Sequence, residues 1–84
     1  MPPLFTQTFY PYLDTFENYK LSDKDDDASP NYYGYVNRKG EWFIMEETIS
    51  PGADTYRFAV GKSDYTTNWN DRTNLTYKYF YEVF

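Results

Sequence analysis

The sequence predicts a mainly β protein: a small four-stranded antiparallel meander sheet with one short helical turn and an extended N-terminal arm. Three observations carry this. The chain has 84 residues, room for a single domain. Aromatics make up 24% of it, with 11 Tyr, 7 Phe and 2 Trp against only nine Leu, Ile and Val together. Rings suit the pleated, half-buried surface of a strand. From residue 31 onward, apolar and polar residues alternate between turns marked by Gly and Pro, the pattern of hairpin-linked strands.

The chain divides near residue 30, into an arm with an acidic linker (1–30) and a small antiparallel β domain (31–84). In the arm, Pro2, Pro3 and Pro11 forbid a central strand and disfavour helix before them. The arm is studded with Leu4, Phe5, Phe9, Tyr10, Tyr12, Phe16 and Tyr19. Pro11 suits a first helical position, and Tyr12, Phe16 and Tyr19 are spaced i, i+4, i+7, so a short helix is expected there. The stretch from Ser22 to Pro30 reads as a polar acidic linker. Its aspartates fail the calcium-loop pattern: counted from Asp23, position 6 is Ala28 rather than Gly, and position 12 is Gly34 rather than Glu. The run reads instead as solvated charge.

In the β domain, Asn31 to Val36 is the first expected strand. Asn37-Arg38-Lys39-Gly40 is a turn with Asn at its start and Gly at its end. Glu41 to Ile49 returns as the second strand, with Trp42 and Ile44 on one face and Phe43 and Met45 on the other. Ser50-Pro51-Gly52-Ala53 turns into the third strand, Asp54 to Val60, whose Tyr56, Phe58 and Val60 share a face. Gly61 ends it, and Ser63 is placed to cap a short helical turn over residues 64–69. Leu75 to Phe84 is the fourth expected strand, with rings on both faces. The expected core is Trp42, Ile44, Tyr56, Phe58, Val60, Leu75 and Tyr77, closed on one side by Trp69. A lone small sheet covers one face by itself; the other must be covered by the arm or by another subunit.

The composition excludes much chemistry. There is no Cys and no His, and the net charge is −5. Thiolate zinc sites, iron–sulfur clusters, disulfides, thiol nucleophiles and Ser-His-Asp triads are ruled out. The negative balance argues against nucleic-acid binding through phosphates, and no apolar run approaches the ~20 residues of a membrane span. Glu46 and Glu47 are adjacent on a strand, so they face opposite ways and cannot share a proton as a glycosidase pair would. No phosphate loop, dinucleotide loop or nucleophile elbow is present, and no cofactor is expected. Trp69 and Arg72 are spaced for a cation–π stack, with Arg72 also able to pair an Asp, and the bland reading is a packing corner locking turn to sheet. Asn74-Leu75-Thr76 is a formal glycosylation sequon without a secretory context to give it meaning.

Four stretches together resemble a known module. They are Tyr32-Tyr33-Gly34-Tyr35-Val36; Gly40-Glu41-Trp42-Phe43-Ile44-Met45; Tyr56-Arg57-Phe58 with Gly61; and Tyr65, Trp69, Arg72, Leu75 and Tyr77 to Phe80. This pattern, over about residues 28–84, resembles small uncharacterised proteins of tailed bacteriophages encoded among virion and tail genes. The resemblance implies a structural role in the phage particle, at the tail, its fibres or the connector, and brings no catalytic residues to carry over. The arm lies outside it.

The leading expectation is a non-enzymatic virion component. Its partners would be other virion proteins or copies of itself, with no nucleic acid and no membrane. The contacts expected to carry it are Leu4, Phe5, Phe9, Tyr10, Tyr12, Phe16 and Tyr19 of the arm, with Phe80 and Phe84 of the last strand. Burying three such rings contributes on the order of 5 kcal/mol, against the cost of ordering the arm. Two alternatives belong to other classes. An acidic inhibitor mimicking DNA would block a host nuclease, and a carbohydrate-binding module would use Trp42, Trp69 or exposed tyrosines as its platform.

Overall fold

A computed structural model of the chain describes residues 18–84. Four antiparallel strands lie in sequence order: β1 (Lys20–Asp25), β2 (Asn31–Val36), β3 (Trp42–Ser50) and β4 (Ala53–Gly61). A short helix, α1 (Tyr65–Asn70), runs into a 3-10 turn (Arg72–Asn74), and a one-turn helix, α2 (Phe80–Val83), follows. The fold is the expected four-stranded meander, with two of its elements reassigned.

The central hairpin forms as its turn residues dictate. Gly40 takes φ 88°, open to glycine at no steric cost. The Asn37 side-chain oxygen accepts from the backbone N–H groups of Lys39 and Glu41, both at 3.0 Å. Asn37 thereby does locally what a ladder bond would do, the reason Asn opens such turns. At the next turn Gly52 takes φ 89°, and the Ser50 hydroxyl donates to the Ala53 carbonyl at 2.5 Å.

The first reassignment concerns the acidic stretch. Lys20–Asp25 is an edge strand paired to β2, not a linker, so the sheet begins before residue 30. Its ladder shifts register between Leu21 and Asp23. Leu21 lies opposite Tyr35 while Asp23 lies opposite Gly34, so the irregularity switches which residues face the core side. Asp23 and Asp25 then turn toward α1 and the 3-10 turn, while Lys24 points outward and pairs Asp26 at 3.5 Å.

The second reassignment concerns the C-terminus. Leu75 to Phe84 is not a fourth strand. Only Lys78 pairs with the sheet, bridging Phe58 through bonds of 2.8 and 2.9 Å. Beyond it the chain turns into α2, where the Glu82 carboxylate accepts from the Tyr79 N–H at 3.0 Å. That bond satisfies a donor at the helix start that a strand would have paired across the ladder.

The core lies on one face of the sheet. Tyr32, Trp42, Ile44 and Ala59 are buried, and Val36, Tyr65, Trp69, Leu75 and Tyr77 pack over them. Trp69, Leu75 and Tyr77 thus take their expected places. Tyr56, Phe58 and Val60 do not: Ile44 pairs with Ala59 and Met45 with Phe58, so these three lie on the opposite face. Tyr56 and Val60 are exposed rather than core. Their shared phase is right, but a one-residue register choice puts the whole set on the other side.

Ser63 caps nothing. The residue before α1 is Asp64, in a left-handed conformation with no side-chain cap. The Ser63 carbonyl instead accepts the Trp42 indole N–H at 2.7 Å, satisfying a ring that is otherwise fully enclosed. The helix expected from Pro11 lies outside the described residues, apart from Asn18 and Tyr19, which lead into β1.

Candidate functional site: the aromatic face of the sheet

The face opposite the core is where the surplus rings gather. Alternation along β3 places Phe43 and Met45 on it, and the β4 register adds Phe58 and Val60. From β2 come Tyr33, opposite Met45, and Tyr35, opposite Phe43. The Tyr35 and Phe43 rings stack at 4.6 Å between centroids, a favourable cross-strand pair.

Three residues expected at an interface converge on this floor. Tyr19, just before β1, sits 5.0 Å from Phe43. Phe80 meets Phe58 edge-on at 5.5 Å, and Phe84 meets Phe43 at 5.4 Å and Phe58 at 5.8 Å. Phe80 and Phe84 share a face as a strand would require, but for a different reason: they are one helical turn apart in α2, 4.6 Å between rings. Both remain about half exposed, as does Val60. Leu4, Phe5, Phe9, Tyr10, Tyr12 and Phe16 lie outside the described residues.

Phe43, Phe58 and Val60 form the floor of this surface, beyond the contact residues the sequence predicts. The alternation of β3 held the signal for Phe43. The face of Phe58 and Val60 depended on the β3–β4 register.

At the end of the sheet near Tyr19, the surface deepens into a pocket of about 340 Å³ between Tyr19, Trp42, Val60 and Phe84, with Glu41 and Lys62 at its rim. Burial, with Glu41 nearby adding to it, raises the Tyr19 hydroxyl above its ordinary pKa, so it stays neutral. The rings therefore meet one charge of each sign at the mouth and no charge on the floor.

At the other end, Glu47 is held by three donors: Asn31 Nδ2 at 3.1 Å, Tyr33 Oη at 3.2 Å and Tyr56 Oη at 3.1 Å. The Asn31 bond, then that of Tyr56, holds the Glu47 carboxyl below its usual pKa. Glu46 faces the core side and accepts from Tyr32 Oη at 3.1 Å. The adjacent carboxylates do point opposite ways, as strand geometry requires.

Behind the sheet, Arg72 places its Nη2 2.9 Å and its Nε 3.1 Å from the same oxygen of Asp25. Its guanidinium lies 4.5 Å over the Trp69 ring. The Tyr65 hydroxyl donates to Asp23 at 2.8 Å. Both predicted contacts of Arg72 are present, and together they bind the helical segment to the edge strand. Among the described residues, no group of three or more acidic side chains could hold a metal ion, and no helix is long and apolar enough to cross a membrane.

No protein-family model, curated protein or solved structure matches the chain. Its function therefore has to be argued from the surface just described.

Proposed function

We propose that this protein is a non-enzymatic structural component that binds neighbouring subunits through its aromatic sheet face and N-terminal arm. The phage virion implied by the module resemblance is its proposed setting. One observation carries the reading: Tyr19, from before β1, and Phe80 and Phe84, from the C-terminal helical turn, gather on a floor of Phe43, Phe58 and Val60, with Val60, Phe80 and Phe84 still exposed. Exposed apolar surface of this kind, edged by charge, is characteristic of a docking site. Tyr and Phe supply large contact areas at low entropic cost.

The acidic residues do not favour the DNA-mimic alternative. Asp23 and Asp25 are spent on Tyr65 and Arg72 rather than lined up along a surface.

Mass-spectrometric inventory of purified tailed-phage particles carrying the gene tests the reading. The chain is expected in the particle, with chemical cross-links joining the Lys62 and Lys78 region to a neighbouring subunit. Its absence from the particle overturns the virion role.

A further inference from the structure

The register of the sheet sorts its charges by end. Lys20, Val36, Trp42 and Gly61 lie in one row across the strands. That row brings Lys20, the Arg38-Lys39 turn and Lys62 to one end, all exposed, with Glu41 and Asp64 as the acids nearby. Asp25, Tyr32, Glu46 and Arg57 form a row toward the other end. The strand ends and turns beyond it hold Asp26, Asp27, Glu47 and Asp54 and no basic residue. Among the described residues, the only ion pairs are Lys24 with Asp26 and Arg72 with Asp25. The cations of the first end and Asp27, Glu47 and Asp54 of the second are therefore unmatched within the described fold.

We infer that a second copy of the chain docks end to end. The Arg38-Lys39 turn of one copy enters the acidic end of the next, with Arg38 against Glu47 and Asn31. The inference rests on the docking role proposed above and names the neighbouring subunit as another copy of this chain.

A row of acids alone is solvated charge. Asn31 makes this end a receptor. Asn31 is only 7% exposed, and its Oδ1 is buried without a hydrogen-bond partner. Its Nδ2 donates to Glu47 Oε1 at 3.1 Å, so the unpaired acceptor and the carboxylate belong to adjoining groups. An unpaired buried acceptor is costly, and an arriving donor relieves it. A guanidinium offers five N–H donors in a planar fork and accepts nothing, which suits a carboxylate beside an amide oxygen. Tyr56, the most exposed of the three donors to Glu47, is the one that yields its place.

The matching cation of the same chain is out of reach. Asn31 and Val36 are the two ends of β2, about 17 Å apart at strand spacing, and Arg38 lies beyond Val36. The contact therefore forms between copies, and it is head to tail. Each added copy leaves one basic and one acidic end free, so the association grows into a row or closes as a ring. Exposed ion pairs contribute little singly. The aromatic face that adjoins Glu47 through Tyr33 and Tyr56 supplies contact area beside them.

Sedimentation velocity on the full-length chain tests this. At low ionic strength and sub-millimolar concentration the wild type is expected to grow beyond a dimer. In about 1 M salt, where the screening length is about 3 Å, it is expected to return to monomer. Arg38→Glu with Lys39→Glu removes the basic end, and Asp27→Lys with Asp54→Lys removes the unmatched exposed acids. Each variant alone is expected to stay monomeric, and an equal mixture of the two is expected to form dimers, because one retains each end. Glu47→Gln keeps the side-chain shape and is expected to weaken the wild-type association about tenfold, the scale of a lost charge-assisted bond. It carries the test if a charge-reversed variant loses its thermal transition.

A wild type that stays monomeric, stops at a closed dimer or ignores salt overturns end-to-end docking, as does a mixture that stays monomeric. Variants that each associate as the wild type does also overturn it, and leave the aromatic face as the contact. The docking role stands or falls separately, on the particle inventory and its cross-links.

Discussion

Two glycines make room for the rings that pack over the sheet. A Cβ on Gly34 would run into the Tyr65 hydroxyl and come within 2.9 Å of the Trp69 ring. The hydroxyl cannot simply swing aside, because it is tied to Asp23. Gly34→Ala is expected to cost about 1–3 kcal/mol through forced repacking, measured by chemical denaturation. A Cβ on Gly61 would meet the Trp42 ring in the same way.

The tyrosines and Glu47 make stability depend on pH at both ends. Burial, and for Tyr65 the bond to Asp23, lifts the Tyr65 and Tyr77 hydroxyls well above their ordinary 10.0. The folded state thus prefers the neutral phenols more strongly than the unfolded chain does. This contribution is complete below about pH 10 and is lost as pH rises further toward the folded values. Thermal melts from pH 9 to 11.5 are expected to fall steeply, and less so in Tyr77→Phe. Glu47 behaves in the opposite sense. Its depressed pKa adds stability above its ordinary 4.5 that is lost as pH falls through and below that value. In Glu47→Gln the acid side of the melting profile is expected to flatten, and the alkaline fall to soften as well, because the Glu47 carboxylate helps raise the Tyr56 and Tyr33 hydroxyls.

At the level of elements, the edge strand and the terminal helix depend on distant partners. Asp has low strand propensity, so β1 owes its place to what Asp23 and Asp25 meet across the fold. Arg72→Ala removes both the ion pair with Asp25 and the packing over Trp69. It is expected to cost about 1–2 kcal/mol, the pair being only partly shielded from water. The loss should be accompanied by faster amide exchange in β1 than in β3. Leu75 to Phe84 leaves the sheet because the residues after the Lys78 bridge have more aromatic surface to bury on the Phe43–Phe58 floor than an edge strand would offer. Phe80→Ser with Phe84→Ser is expected to lower stability by about 1–2 kcal/mol for two half-buried rings and to increase binding of a hydrophobic dye. Unchanged dye binding would contradict the packing of α2 on that floor.

For the molecule as a whole, the core is small and contiguous. Only Tyr32, Trp42, Ile44 and Ala59 are buried hydrophobics among the described residues, and a core of this size supplies little margin. Both tryptophans report on it, Trp42 from inside and Trp69 from the covering helix. Unfolding followed by tryptophan fluorescence and by far-ultraviolet circular dichroism is expected to give coincident single transitions. Two separated transitions would mean that the helical segment and the sheet are independent units. The strands pair in chain order, so the sheet needs no long crossover, and the rings left over form the second face.

The mainly β class, the two central turns, the inward pair Trp42 and Ile44, the Trp69–Arg72 stack and the opposed Glu46 and Glu47 were all legible in the sequence. Each rests on local rules: alternation, turn chemistry and helical spacing. Three features were decided only in the tertiary structure. Which face Phe58 and Val60 occupy depends on a one-residue register between two strands that alternate equally well either way. The strand character of Lys20–Asp25 depends on Arg72 and Tyr65, more than 40 positions away. The helical turn of Phe80–Val83 depends on the apolar floor beneath it. Local pattern sets which residues travel together, and long-range pairing sets where they land. The aromatic face, on which the functional reading stands, is a product of the second.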